Sequence, residues 1–175
     1  MFARFPKSPA AGPAKLRLAA ALYQAGDFEQ SARAYGAAAS GAGAADALLS
    51  RALALEKAGR DAEALAADEA WLKRFPKHPK ASLMWLMAAQ ARERAGRLSD
   101  AADAYARIRD DEHRPAALFS AGRLREKLKQ TSVAARDYES LRACRPANNP
   151  SRLRGLLRLG LIHEVGNRPL KAMPL

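Results

Sequence analysis

Five small residues, Ala19, Ala52, Ala89, Gly122 and Gly160, recur along the chain at intervals of 33, 37, 33 and 38. The residues downstream of each recur too. Seven residues on stand Gly26, Gly59, Gly96, Lys129 and Asn167, with Gly166 one place early in the last copy. Twelve on stand Ser31, Ala64, Ala101, Ala134 and Ala172. Sixteen on stand Tyr35, Asp68, Tyr105 and Tyr138, and twenty-four on stand Gly43, Pro76, His113 and Pro146. Constant internal spacing with joins of variable length marks a repeated supersecondary unit whose copies bury their apolar faces against one another.

The clearest copy runs from Trp85 to Tyr105. Trp85 and Ala89 are four apart and so are neighbours on one helical face. Gly96 can close that helix, because glycine takes the left-handed conformation at little steric cost. Leu98, Ala101, Ala102 and Tyr105 then open a second apolar series. Large against small, a tight turn, then small against aromatic predicts two antiparallel helices in close approach. The composition agrees: hydrophobic residues reach 49%, much of it alanine, while aromatics are only 6%. That balance suits thin layers of packed helices, and the scarcity of β-branched residues argues against a sheet. The expected fold class is all-α.

These residues resemble the tetratricopeptide repeat, a helix–turn–helix unit of about 34 residues. The resemblance rests on Trp85, Ala89, Gly96, Ala101 and Tyr105, and on Gly122, Ala134, Tyr138 and Pro146. It implies a right-handed α-solenoid of about five repeats over residues 12–175. The copies fall near 12–44, 45–79, 80–114, 115–150 and 151–175, the last incomplete, and 1–11 reads as the end of a preceding repeat. Two departures stand out: Trp71 takes a usually small position and Asp68 a usually aromatic one.

In order, helix pairs are expected at Ala14 to Ala39, at Ala45 to Lys57 with Ala62 to Arg74, and at Lys80 to Ala95 with Ser99 to Arg109. Ala116 to Lys129 with Ser132 to Ala143 makes the fourth pair, and Leu153 to Val165 a lone first helix. Phe5-Pro6-Lys7-Ser8-Pro9 echoes Phe75-Pro76-Lys77-His78-Pro79, a join between repeats. With no polar capping helix at the end, the expectation is a piece of a longer protein, truncated at both ends. The FPKxP joins and slightly long repeats resemble bacterial cell-envelope modules, including outer-membrane lipoprotein assembly factors and Tol–Pal coordinators. That places the envelope or periplasm ahead of the cytoplasm.

Little in the chain suggests chemistry. Cys144 is the only cysteine, so neither an intrachain disulfide nor a CxxC metal pair can form. His78, His113 and His163 have no second ligand at a metal-binding spacing. No nucleophile motif or phosphate loop occurs, and no run of eighteen apolar residues exists. The expectation is a non-enzyme with no catalytic, cofactor or metal site.

The resemblance implies that first helices line a concave groove that takes a protein or peptide. Three residues before each anchor stand Leu16, Leu49, Leu86, Phe119 and Leu157; four after stand Tyr23, Glu56, Glu93, Glu126 and Glu164. These ten are the expected partner-binding residues, with an apolar line and an acidic line. Packing between first helices, and local ion pairs with Lys57, Arg94 and Lys127, are the plainer readings of the same residues. Asparagine occurs only at Asn148, Asn149 and Asn167, so the carboxylate clamp of one family subgroup is excluded. The formal charge of +12, with clusters at Lys73, Arg74, Lys77 and Lys80 and at Arg142, Arg145, Arg152, Arg154 and Arg158, admits an acidic partner, anionic lipid or nucleic acid. The leading function is a non-catalytic interaction scaffold. The alternatives are the α-solenoid of a larger enzyme such as a lytic transglycosylase, and an RNA-binding helical repeat.

Overall fold

A computed structural model of the protein describes residues 11–166. The FPKSP motif at 5–9, the PLKAMPL stretch at 169–175 and the repeat positions Asn167 and Ala172 lie outside the described residues. Within them stand nine α-helices and no strand: α1 (Ala11–Gln24), α2 (Phe28–Ala38), α3 (Ala44–Lys57), α4 (Asp61–Arg74), α5 (Ala81–Arg94), α6 (Leu98–Ala106), α7 (Arg114–Lys127), α8 (Thr131–Ser140) and α9 (Pro150–Gly166). None is long and apolar enough to cross a membrane. The helices belong to two compact units, Met1–Met84 and Trp85–Leu175.

The turn inside each pair is the same device four times over. Gly26, Gly59, Gly96 and Lys129 all have positive φ, at 82°, 70°, 74° and 60°. The residue after each donates its N–H back over a full turn: Asp27 to Leu22 O, Arg60 to Leu55 O and Arg97 to Arg92 O at 2.9 Å, and Gln130 to Arg125 O at 2.8 Å. The left-handed residue itself donates to Tyr23, Glu56, Glu93 or Glu126 O. This is the Schellman arrangement, which satisfies carbonyls that a helix end would otherwise orphan. The second helix starts at once, as Ser31, Ala64, Ala101 and Ala134 donate to Asp27, Arg60, Arg97 and Gln130 O. The seven-and-twelve spacing of the sequence is therefore the geometry of this turn.

In the first unit α1, α2, α3 and α4 pack in succession. Ala19 and Ala52 are wholly buried, and Ala32, Ala54, Leu55 and Ala64 form a core against which Tyr23 and Ala67 rest. Ser31 replaces the usual alanine and donates its buried hydroxyl to Ala19 O at 2.8 Å. The anomalous Trp71 is accommodated in the same way: it is buried, and its indole N–H donates to Ala45 O at 2.7 Å. A buried polar group costs little once it is paired. A single 3-10 turn, Gly41–Gly43, occupies the small-residue join before α3.

In the second unit Ala89, Ala101, Ala102, Tyr105, Ile108, Ala117, Ala121 and Leu124 make one core, with Trp85 and Leu86 packed on it. A second core gathers Leu118, Tyr138, Leu141, Cys144 and Leu159, with Phe119, Leu156 and Ile162 alongside. Two expected boundaries are corrected here. The sixth helix ends at Ala106 rather than Arg109, and the eighth ends at Ser140, followed by the 3-10 turn Leu141–Ala143. Each ends where a buried aliphatic, Ile108 or Leu141, is turned into the core by a tighter backbone.

The anchors differ in a way that reveals the register. A Cβ on Gly122 would lie 2.3 Å from Cε1 of Tyr138, sixteen residues on, while Gly160 has nothing within 4 Å. Gly155, Leu159 and Ile162 of α9 take the places of Ala117, Ala121 and Leu124 of α7, five before, one before and two after the anchor. The face of α9 that carries Gly160 thus corresponds to the face of α7 that holds α8.

Gly122→Ala is expected to cost about 1–3 kcal/mol by overpacking against Tyr138. Gly160→Ala should be neutral or stabilising by up to about 1 kcal/mol. Urea unfolding of the two variants measures the contrast. The same measurement should show Lys129→Gly stabilising by up to about 1 kcal/mol, because it relieves a left-handed non-glycine residue. Gly96→Lys should destabilise by about 1–2 kcal/mol.

Candidate interaction surface

The expected partner-binding residues meet different fates. In the second unit Leu86 on α5 and Phe119 on α7 are half-buried, each packed on a core but still reaching solvent. The Phe119 ring lies 6.3 Å from that of Tyr138. Leu157 on α9 is 70% exposed. In the first unit Leu16 and Tyr23 are half-buried, the Tyr23 ring sitting edge-on to Phe28 at 5.2 Å. Leu49 is buried, so its side chain serves packing in this unit.

The glutamates are joined to their repeats. Tyr105 donates its hydroxyl to Glu93 Oε2 at 3.0 Å, and Tyr138 donates to Glu126 Oε1 at 2.6 Å. In each case the residue four after the anchor receives the aromatic sixteen after it. An arginine from the next first helix completes the arrangement. Arg123 approaches Glu93 at 3.9 Å, and Arg158 holds Glu126 through both carboxylate oxygens, with Nε to Oε1 at 2.7 Å. Both glutamates thus have arginine partners across the helix packing. Glu56 is half-buried and Glu164 exposed.

The electrostatics follow from this geometry. The Arg158 hydrogen bond holds the Glu126 carboxyl below its ordinary value, against desolvation and with help from Tyr138. Glu126 in turn raises the Arg158 guanidinium. Burial first, then the glutamate hydrogen bond, pushes both the Tyr105 and Tyr138 hydroxyls well up. The Cys144 thiol is raised by burial and donates to Ser140 O at 3.8 Å, the opposite of a reactive thiolate.

One group of metal-ligand type occurs among the described residues, where Asp110, Glu112 and His113 bring donor atoms within 4.8 Å of one another. Asp110 Oδ1 there accepts from the His113 N–H at 2.8 Å and lies 2.6 Å from its Nδ1. These contacts shape the turn that leads into α7. Helical ligand spacing, the signal sought in the sequence, does not reveal a cluster that a turn assembles.

A family model described as tetratricopeptide repeat matches residues 16–79 and 69–117. The chain belongs to the tetratricopeptide repeat family. No curated protein matches the sequence. Two similar solved structures are the nearly identical TPR-like repeats assigned to a kinesin light chain of Podosopora anserina and a form of it in which methionine replaces one glutamine. The first is 16% identical, covers 91% of this chain and 89% of its own, and superposes with a TM-score of 0.58. The second is also 16% identical, with 88% and 85% covered and a TM-score of 0.57. At that identity the likeness is one of fold.

Within this tetratricopeptide framework several members of the two basic clusters have partners inside the fold. Arg142 pairs with Glu139 at 2.7 Å, and Arg152 donates to Leu141 O at 3.2 Å and Ala147 O at 2.7 Å. Lys80 meets Asp46 at 2.7 Å, and the Arg74 guanidinium lies 5.1 Å from the Phe75 ring centre. Sequence reasoning also missed a buried charge group. Arg125 bonds Asp137 on one side and Asp103, at 2.8 Å, on the other, which joins α6, α7 and α8. Burial pushes the Asp137 carboxyl up, against the pull of Arg125. A carboxylate twelve residues beyond a helical arginine was the available signal.

Because the folded Glu126 carboxyl sits below its unfolded value, it adds stability above the ordinary glutamate range. That stability is lost as pH falls through the folded value. Glu126→Gln is therefore expected to lower stability at neutral pH and to flatten the acid limb of the stability–pH curve, followed by urea unfolding from pH 7 downward.

Proposed function

We propose that this protein is a non-catalytic scaffold that docks a partner protein or peptide on the first helices of its repeats. The observation that carries this reading is the pair Leu86 and Phe119, half-buried on successive first helices of the second unit. Their backbones are held in place by the Glu93–Tyr105 and Glu126–Tyr138 hydrogen bonds. A surface fixed before binding loses less conformational freedom on association. Half-buried apolar side chains supply the contact area, and neighbouring charges such as Arg123 set orientation and association rate. In the first unit Leu16 offers the equivalent position, with half-buried Tyr23 seven residues further along α1. Service in bacterial envelope assembly is the finer form of the proposal, and it rests on the FPKHP join.

The test is affinity capture with the protein from its own cell lysate, at low and at high salt. A discrete protein retained at both salts, and lost with Leu86→Glu plus Phe119→Glu while helicity is unchanged, supports the scaffold. Recovery of nucleic acid at low salt only would replace it with the electrostatic reading.

A further inference from the structure

A groove of about 410 Å³ lies in the first unit, walled by α2, α3 and the start of α4. Its charges do not balance. Arg60 meets Glu29 Oε1 at 3.4 Å and also bonds Glu63, while Arg33 lies 3.8 Å from Glu29 Oε2. Three arginines of the lining therefore face two carboxylates, and Arg51 is the one left over. Among the described residues its guanidinium has no hydrogen-bond or ion-pair partner.

Arg51 is fixed against the wall of the groove. It is half-buried and lies along α2, where a Cβ on Gly36 would stand 3.4 Å from its Cδ and 3.5 Å from its Nε. One residue before the anchor, the later first helices carry Ala88, Ala121 and Leu159, all buried. The second repeat sets a cation in that place. The second unit shows the same groove filled. Counted from the anchors, Arg33, Leu55 and Ala67 match Asp103, Arg125 and Asp137. There Arg125 reaches an aspartate on either side. In the first unit an arginine and an alanine stand in the places of those aspartates, and the guanidinium enters from Arg51, one helical turn before Leu55. A half-buried cation without a partner carries a desolvation cost that an incoming anion offsets.

We propose that this groove binds a carboxylate side chain of a partner peptide, a glutamate or aspartate that pairs with Arg51. A single excess positive charge suits a monoanion, and a guanidinium takes a carboxylate through two parallel N–H···O bonds. Ala32 and Leu55, the apolar members of the lining, receive the methylenes of that side chain. Arg33 and Arg60 at the rim are exposed, so a peptide can cross the mouth of the groove. The site belongs to a different unit from Leu86 and Phe119 and does not rest on that docking face.

The probe is an end-blocked pentapeptide with one central glutamate, titrated into the full 175-residue chain while the arginine Nε–H signals are followed by NMR. The Arg51 signal, identified by its loss in Arg51→Gln, is expected to move and to saturate. Arg51→Gln should weaken binding roughly tenfold or more with an unchanged unfolding midpoint. Arg33→Asp, which sets a carboxylate in the place of Asp103, should weaken it as much. The same peptide with glutamine at its centre should not bind. An Arg51 signal that stays still overturns the inference. So does equal weakening by Arg154→Gln, an exposed arginine of the second unit, because attraction to the net charge would then account for the binding. Inorganic phosphate or free glutarate binding at Arg51 as tightly as the peptide overturns the assignment to a peptide carboxylate.

Discussion

Everything in this molecule rests on an approach between paired helices that leaves room for a methyl group at most. Where Gly122 meets the ring of Tyr138 there is no room for a Cβ, and the other internal anchors, Ala19, Ala52 and Ala89, are alanines with no exposed surface. A chain with so few aromatics cannot fill wide gaps between helices, so its helices must come close. Close approach demands small residues at a fixed height, and a fixed height demands a turn of fixed geometry. The four Schellman turns supply it, and the left-handed residue at each is as much a packing element as the anchor itself.

Polar chemistry is subordinate to that packing. An aromatic pressed against an anchor carries its hydroxyl partly out of water, and a tyrosine so placed needs an acceptor. The glutamate four residues past the anchor is within reach, and an arginine from the following first helix then satisfies the glutamate. One steric requirement thus explains a tyrosine, an acid and a base. It also explains why charges that look like a partner-binding track in the linear sequence hold the protein's own helices in the second unit.

The regular part of the fold was legible in the sequence because it depends on residue size at constant spacing. Ala101 or Gly96 announces itself by position alone. Lys129 was legible only through the spacing, since a lysine gives no sign of a left-handed backbone. What stayed hidden depends on three-dimensional neighbours. Leu49 and Leu86 look alike in sequence, yet one is buried and the other half open. Asp103, Arg125 and Asp137 look like ordinary surface charges until α6, α7 and α8 bring them together. The fifth anchor, Gly160, was found by spacing, but the consequence of its open environment is visible only in the structure.

The Asp103–Arg125–Asp137 group separates this chain from an array of interchangeable parts. Its three members come from two successive repeats, and the place of Arg125 is held by Leu55 in the second repeat and Arg92 in the third. Exchanging the third repeat for the second would put Ala66 in the place of Asp103 and leave Arg125 with the Asp137 bond alone. Shuffling modules, the usual route by which repeat arrays lengthen and shorten, loses a charge contact at this junction. The order of the repeats is written into the electrostatics as well as into the chain.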